Sequence, residues 1–326
     1  MLEAVALGAS VRTTCSPNPW VGAVVVAGDR RFGGATAPPG GPHAEIAALT
    51  AAGTAAAGGT LYTTLEPCAH HGRTPPCTDA ILAAGVSRVV VAVVDPDPLV
   101  AGAGIAALEA AGVPVTVGAA ADEAAAQLAP YLKHRRTGRP WVVLKLAATL
   151  DGRIAAPDGS SQWLTGAAAR DDVQQLRAES DAVLVGARTV RVDNPKLTVR
   201  RDPPPDRQPL RVVLGAVPAG AAVEPAVALT GDLDAVLRDL AERGVVQLLV
   251  EGGAHVAHGF HQAGLVDRYI VYLAPALFGG DDAVPMFAGP GAATVDDLWR
   301  GRLVSVVDLG GDLRVELAPD PDREAA

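Results

Sequence analysis

The chain has 326 residues, 49% of them hydrophobic and 19% charged, which supplies apolar material for two cores of ordinary size rather than one. A formal net charge of -9, from 36 acids against 27 bases, argues against binding nucleic acid through bulk charge. No apolar run approaches the roughly 20 residues of a membrane span, and no basic start leads into an apolar core, so neither an anchor nor a signal peptide is read. The three cysteines, Cys15, Cys68 and Cys77, are too few for a disulfide scaffold; they suit a cytoplasmic chain whose thiols serve a metal or catalysis.

After a short helix opening at Met1-Leu2, Val21–Ala27 reads as a buried strand and His43–Ala52 as an Ala-rich helix. A strand at Gly59–Leu65, a helix at Thr78–Ala84 and a strand at Arg88–Val94 follow, then a helix at Ile105–Ala111 and a strand at Val113–Val117. Strands alternating with short helices imply an α/β layer with a largely parallel centre. The helical pattern from Asp122 to Thr137 ends in Lys133, Arg135 and Arg136, cations suited to a helix C-terminus, and Gly138 and Pro140 stop it. A domain boundary is expected there, giving domains 1–138 and 139–326. The second begins with a strand at Trp141–Ala147, a helix at Ala167–Glu179, and strands at Ala182–Gly186 and Leu210–Leu214, with Asp202–Pro209 as a proline-rich loop. A helix at Leu233–Arg243, a strand at Val246–Val250 and a helix opened by Gly252-Gly253 come next. Strands at Tyr269–Ala274 and Leu313–Leu317 finish this second α/β sheet.

The first chemical constellation is His43-Ala44-Glu45, followed by Pro67-Cys68 and by Cys77. One imidazole and two thiolates suit tetrahedral Zn²⁺ with a fourth position left for water, which the metal acidifies. Glu45, two residues past the ligand His43, is placed to take a proton from that water and pass it to a departing amine. Zinc deaminases acting on pyrimidine or purine rings use this layout, normally ending in Cys-x-x-Cys, whereas eight residues separate the cysteines here. Cys77 heads a predicted helix, where the dipole favours a thiolate. A closed structural zinc site, or three residues that never meet, are the competing readings.

The whole block TLEPCAHHGRTPPC, residues 64–77, resembles the deaminase domain of the bifunctional RibD family of riboflavin biosynthesis, in which the longer loop replaces the short spacing. Asn18-Pro19-Trp20-Val21-Gly22 and Asp95-Pro96-Asp97-Pro98 with Ala101-Gly102 match further blocks of that family. The resemblance implies a cytidine-deaminase-like three-layer α/β/α domain, with His70 and Arg73 holding the substrate's ribose phosphate and Asn18 meeting its pyrimidine or ribose. It also marks a departure, since many members carry a His seven residues before the zinc His and this chain has Thr36.

The second half carries Lys145-Leu146-Ala147-Ala148-Thr149-Leu150-Asp151-Gly152-Arg153, then Gly159-Ser160-Ser161-Gln162-Trp163-Leu164-Thr165. Val185–Val190, Asp193-Asn194-Pro195 with Leu197–Arg200, and Glu251-Gly252-Gly253-Ala254 follow in order. Two glycines between strand and helix let a phosphate approach backbone N–H groups, while a G-x-G-x-x-G fingerprint is missing, so a standard dinucleotide fold is not supported. These blocks resemble the RibD reductase domain, similar in fold to dihydrofolate reductase. The resemblance implies NADPH contacts at Ala148, Trp163, Thr189, Asp193 and Gly253, and substrate contacts at Ser161, Arg177, Leu197, Arg200 and Glu251. It places Lys145 near the reacting ribose carbon, gives Asp151 a turn or a hydroxyl to fix, and makes Arg177 and Arg200 phosphate clamps. Overall it implies zinc-dependent deamination of a phosphorylated pyrimidine followed by NADPH-dependent reduction of its ribosyl group, in a homodimer or larger assembly. The alternative is a deaminase with a non-catalytic nucleotide-binding or dimerisation second domain.

Overall fold

A computed structural model describes residues 1–71 and 75–320, and the chain divides into the units Met1–Arg139 and Pro140–Ala326. The first contains α1 (Leu2–Ser10), β1 (Gly22–Ala27), β2 (Arg30–Ala35), α2 (Ala44–Ala52), β3 (Thr60–Leu65), α3 (Cys77–Ala84), β4 (Arg88–Val93), α4 (Ala103–Ala110), β5 (Val115–Val117) and α5 (Ala121–Thr137). Its sheet runs β2-β1-β3-β4-β5. The β3, β4 and β5 strands are parallel, and β1 is antiparallel to both neighbours.

Strand β2 escapes the sequence pattern because Arg30-Arg31-Phe32-Gly33-Gly34 lacks apolar alternation; it is an edge strand paired to β1 as a hairpin. Its glycines have a packing purpose. A Cβ on Gly34 would lie 2.3 Å from the Ala48 nitrogen and 2.4 Å from the Ala44 carbonyl oxygen, so α2 rests backbone against backbone on β2. Gly22 does the same for α1, where a Cβ would meet the Ala4 carbonyl oxygen at 1.9 Å. Helix α5 ends as its composition predicts, with His134, Arg135 and Arg136 in the last turn and Gly138 in the left-handed region at φ 65°.

The second unit contains β6 (Trp141–Thr149), β7 (Arg153–Ala155), α6 (Ala167–Ala178), β8 (Ala182–Gly186), α7 (Ala187–Asp193), β9 (Leu210–Leu214), β10 (Val227–Leu229), α8 (Leu233–Glu242), β11 (Gln247–Val250), α9 (Ala254–Gln262), β12 (Arg268–Ala274), β13 (Val284–Pro285), β14 (Gly301–Leu309) and β15 (Asp312–Pro319). The main sheet runs β10-β9-β8-β11-β6-β12-β15-β14. It is parallel from β10 to β12 and antiparallel from there to β14. One face is covered by Ala169, Val173 and Leu176 of α6 and Val190 of α7. The other is covered by Val236, Leu237 and Leu240 of α8 and Ala257 and Phe260 of α9. Both faces are therefore dry, and β8 and β11 are buried throughout, as continuous apolar runs in a parallel sheet require.

The expectation that Leu313–Leu317 finishes the sheet is corrected, because β14 pairs outside β15 and forms the edge. Its apolar side chains are exposed on both faces, a pattern that does not signal a half-buried strand. No described helix is long and apolar enough to cross a membrane.

Candidate active sites

Three ligand-type residues converge in the first unit. His43 is the N-cap of α2, Cys77 is the first residue of α3, and Cys68 follows β3. Their ligand atoms lie within 4.8 Å of one another, with His43 Nδ1 3.3 Å from Cys77 Sγ and 3.7 Å from Cys68 Sγ. A tetrahedral zinc with bonds of about 2.0–2.3 Å needs ligand atoms roughly 3.4–3.8 Å apart, a spacing that both His43–cysteine distances approach. The Cys77 backbone N–H donates to Cys68 Sγ at 3.4 Å. The hydrogen bond from the Cys77 side chain holds the Cys68 thiol down at about 4, and the same bond raises that of Cys77. The Cys68 hydrogen bond raises the His43 imidazole. In the first turn of α2, Glu45 is 4% exposed, and burial pushes its carboxyl up to about 7, in the range of a group that exchanges protons at neutral pH.

The predicted substrate residues of this unit lie in loops. Asn18 sits in the turn before β1, its backbone N–H donating to the Cys15 carbonyl. His70 is exposed two residues beyond Cys68, and Arg73 lies outside the described residues. Thr36 is 4% exposed and faces inward, its Oγ1 accepting from the Val21 N–H at 3.1 Å. That hydroxyl closes the end of β2 onto Val21.

In the second unit a cavity of about 660 Å³ opens at the ends of β6, β8 and β11. Lys145, Ser161, Trp163, Arg177, Thr189, Asp193, Leu197, Arg200, Glu251 and Gly253 all line it. Ala148 is the exception. It is fully buried and does not line the cavity, whereas Lys145, Leu146 and Ala147 before it do. Glu251 is gripped by Arg177 through a two-point ion pair, Nε–Oε1 at 2.6 Å and Nη2–Oε2 at 2.9 Å, and Arg177 Nη1 also donates to the Thr198 carbonyl. Burial would raise the Glu251 carboxyl, but the charges of Arg177, Lys145 and Arg200 outweigh it and hold the group below the usual carboxylate range. Burial pulls the Lys145 ammonium below the ordinary lysine value against the opposing pull of Glu251.

Arg177, expected as a phosphate clamp, is thus already bound within the protein. Asp151 fixes a turn: it accepts from Thr149 Oγ1 at 2.5 Å and from the Gly279 N–H at 2.9 Å. Leu197 is 2% exposed with φ 53°, a left-handed conformation that a leucine adopts only when its surroundings impose it. Sequence reasoning missed Tyr272, whose ring centroid is 5.9 Å from Lys145 Nζ and whose hydroxyl donates to Asp172. It lies in a strand whose pattern signals only core.

Comparison with known proteins gives two family matches. The RibD C-terminal domain family matches residues 140–315, and the cytidine and deoxycytidylate deaminase zinc-binding region matches residues 1–93. The chain is 43% identical over 323 residues to the riboflavin biosynthesis protein RibD of Chlamydia trachomatis, covering 88% of this chain and 86% of the relative. Among solved structures, Acinetobacter baumannii RibD superposes with a TM-score of 0.92 at 39% identity, covering 98% of this chain and 97% of that one. The diaminohydroxyphosphoribosylaminopyrimidine deaminase/5-amino-6-(5-phosphoribosylamino)uracil reductase of Thermotoga maritima does so with a TM-score of 0.88 at 33% identity and the same coverage.

The buried pair sets an expectation. With side chains 10% and 9% exposed, Arg177→Ala strands the Glu251 carboxylate and should cost about 3–5 kcal/mol, read by denaturant unfolding of the second unit. Replacing both partners by Met should recover most of that loss; a single variant as stable as the parent would contradict the pairing.

Proposed function

Because the chain belongs to the RibD family, it is a bifunctional deaminase and reductase of riboflavin biosynthesis, and we propose that His43, Cys68 and Cys77 hold its zinc while Glu45 moves the protons of deamination. The observation that carries this reading is the convergence of one imidazole and two thiols, at zinc spacing, beside a buried carboxyl drawn up to about 7. The substrate is 2,5-diamino-6-ribosylamino-4(3H)-pyrimidinone 5′-phosphate, in keeping with the activities in the name of the Thermotoga maritima relative. Reduction of the deaminated product then yields 5-amino-6-ribitylamino-uracil 5′-phosphate. When bound, zinc supplies the Lewis acidity that activates water, and NADPH supplies the reducing equivalents.

The chain's own groups do the rest. A Glu45 carboxylate oxygen accepts a proton from the attacking water and returns one to the departing amine nitrogen. Asn18, His70 and Arg73 hold the pyrimidine and ribose phosphate above it. In the second unit Lys145 Nζ carries a proton to the ribose ring oxygen as the ring opens. Ser161, Leu197 and Glu251 orient the sugar, and Arg200 and Arg177 take its phosphate, Arg177 being aligned by its pair with Glu251. Trp163, Thr189, Asp193 and the Gly253 turn hold NADPH, with the adjacent Ala147–Ala148 backbone completing the cradle. The reading places the protein in the cytoplasm, where a zinc-binding thiol pair stays reduced.

We also infer a homodimer formed through β14. Leu303, Val304, Val306 and Val307 of this edge strand, with Leu313 of β15, are exposed. An uncovered apolar strand edge is a pairing surface for another copy of itself.

Three outcomes test these assignments. Glu45→Gln should keep its zinc, measured by metal analysis, and lose about 10²–10⁴-fold in ammonia release. It should still oxidise NADPH when given the deaminated intermediate; retained deamination in zinc-loaded protein would remove Glu45 from the mechanism. For the reductase, the protonated form of Lys145 is the active one and its pKa is lowered. Turnover should therefore decline at a lower pH than an ordinary lysine would dictate, and Lys145→Arg should abolish that alkaline decline; a profile indifferent to the substitution contradicts the role. Finally, sedimentation should show a dimer that Leu303→Glu with Val306→Glu converts to monomer; a monomeric parent chain would overturn the edge assignment.

A further inference from the structure

Glu66 sits inside the block that carries Cys68 yet belongs neither to the metal group nor to the substrate residues. It is 3% exposed at the end of strand β3, and it has no cationic partner among the described residues. Its two oxygens instead accept four backbone N–H groups. Oε1 accepts from Gly104 at 2.9 Å and Ile105 at 3.2 Å, and Oε2 accepts from Gly102 at 3.0 Å and Asp95 at 3.2 Å. Three of these donors belong to the start of α4, where unsatisfied N–H groups and the helix dipole both favour an anion. The fourth opens the 95–102 loop. That loop is tied in turn to α5, because Tyr131 donates to Asp95 and Arg135 pairs with Asp97.

The residue between Glu66 and the metal-ligating thiol is equally constrained. The Pro67 carbonyl oxygen packs against Gly104 so closely that a Cβ there would lie 1.8 Å away. Pro67 has a fixed φ and no N–H with which to adjust. Cys68 is therefore held from behind by two contacts on one feature, the N-terminus of α4: the Glu66 carboxylate and the Pro67 carbonyl. Among the described residues, no other side chain in this unit joins Cys68's segment to the 95–105 segment through so many donors.

We propose that Glu66 is a positioning residue that couples the metal site to the 95–105 loop, so that holding Cys68 in ligand geometry and ordering that loop are one equilibrium. Coupling of this kind is reciprocal: what orders the loop tightens the metal, and the metal tightens the loop. The Asp95-Pro96-Asp97-Pro98 motif, which the deamination chemistry leaves without a metal-side role, thereby acquires one. The proposal rests on zinc being held by His43, Cys68 and Cys77.

The test uses the full-length protein stripped of metal and titrated with zinc, and with cobalt as a spectroscopic probe of thiolate ligation. In the parent chain, zinc should slow amide hydrogen exchange at residues 102–105. Glu66→Gln, which keeps the shape and loses the charge, should weaken zinc binding about 10–100-fold, the usual cost of disturbing the support behind a ligand. It should also diminish the cobalt–thiolate absorbance and uncouple exchange at 102–105 from the metal. Gly104→Ala, which keeps the Glu66 charge and pushes chiefly on the Pro67 carbonyl, 1.8 Å from the added Cβ against 3.3 Å for Glu66 Oε1, should reproduce the loss and serves in its place if Glu66→Gln does not fold. Oxidation of NADPH with the deaminated intermediate reports that each variant is folded in its second unit. Parental zinc affinity and zinc-dependent exchange in both variants would overturn the coupling. His43→Ala separates the two ideas: undiminished zinc binding there sinks the ligand assignment itself.

Discussion

Two helix starts must meet for the first unit to have chemistry. His43 caps α2 and Cys77 opens α3, and their ligand atoms stand 3.3 Å apart. Helices that carry side chains of ordinary size pack about 8–10 Å apart, so convergence this close depends on placing both N-termini over the same end of the sheet. The parallel order of β3 and β4 does this for α3, and Gly34 does it for α2 by letting the helix backbone lie against β2. Once the two starts are fixed, the dipoles of both helices point positive ends at the thiolates, and Glu45 is carried into the same dry pocket by the first turn of α2.

The second unit answers to a different constraint, the cost of burying charge. Its cavity is lined by Lys145 of β6, Arg177 of α6, Arg200 of the loop after α7 and Glu251 just beyond β11. Isolated, a buried Arg177 or Glu251 would be expensive there; the pair neutralises itself, and Lys145 and the exposed Arg200 also line the cavity. The same economy of burial appears in Leu197, whose left-handed backbone is tolerated because the side chain is enclosed. The two units are built by opposite routes: one gathers an imidazole and two thiols, and the other balances buried charges.

Much of this was legible in the residues. Apolar runs such as Ala182–Gly186 and Val246–Val250 read as strands, and the cations before Gly138 read as a helix end. What escaped did so for identifiable reasons. Strand β2 is made of arginine and glycine because it is an edge that must admit a helix, and β14 is apolar on both faces because it is left uncovered at the margin of the sheet. Ala148 matched a motif letter for letter, yet it is fully buried and the cavity is bordered by Ala147 instead. Arg177 carried the right charge for a phosphate, but its partner, 74 residues distant in sequence, could not be seen from local pattern.

By itself, then, the sequence determined the chemistry available: one imidazole, two thiols and a carboxylate at deaminase spacing, and ordered reductase motifs around a Gly-Gly turn. Residue type and local spacing decide which atoms can ligate, donate or accept, and these are written along the chain. Only the tertiary structure decided which of those groups are free to act. Arg177 is paired with Glu251, Thr36 is turned inward onto Val21, and Glu66, inconspicuous in its motif, accepts four backbone N–H groups. The reason is physical: whether a polar group is available depends on burial and on partners far away in sequence, and both exist only after the chain has folded.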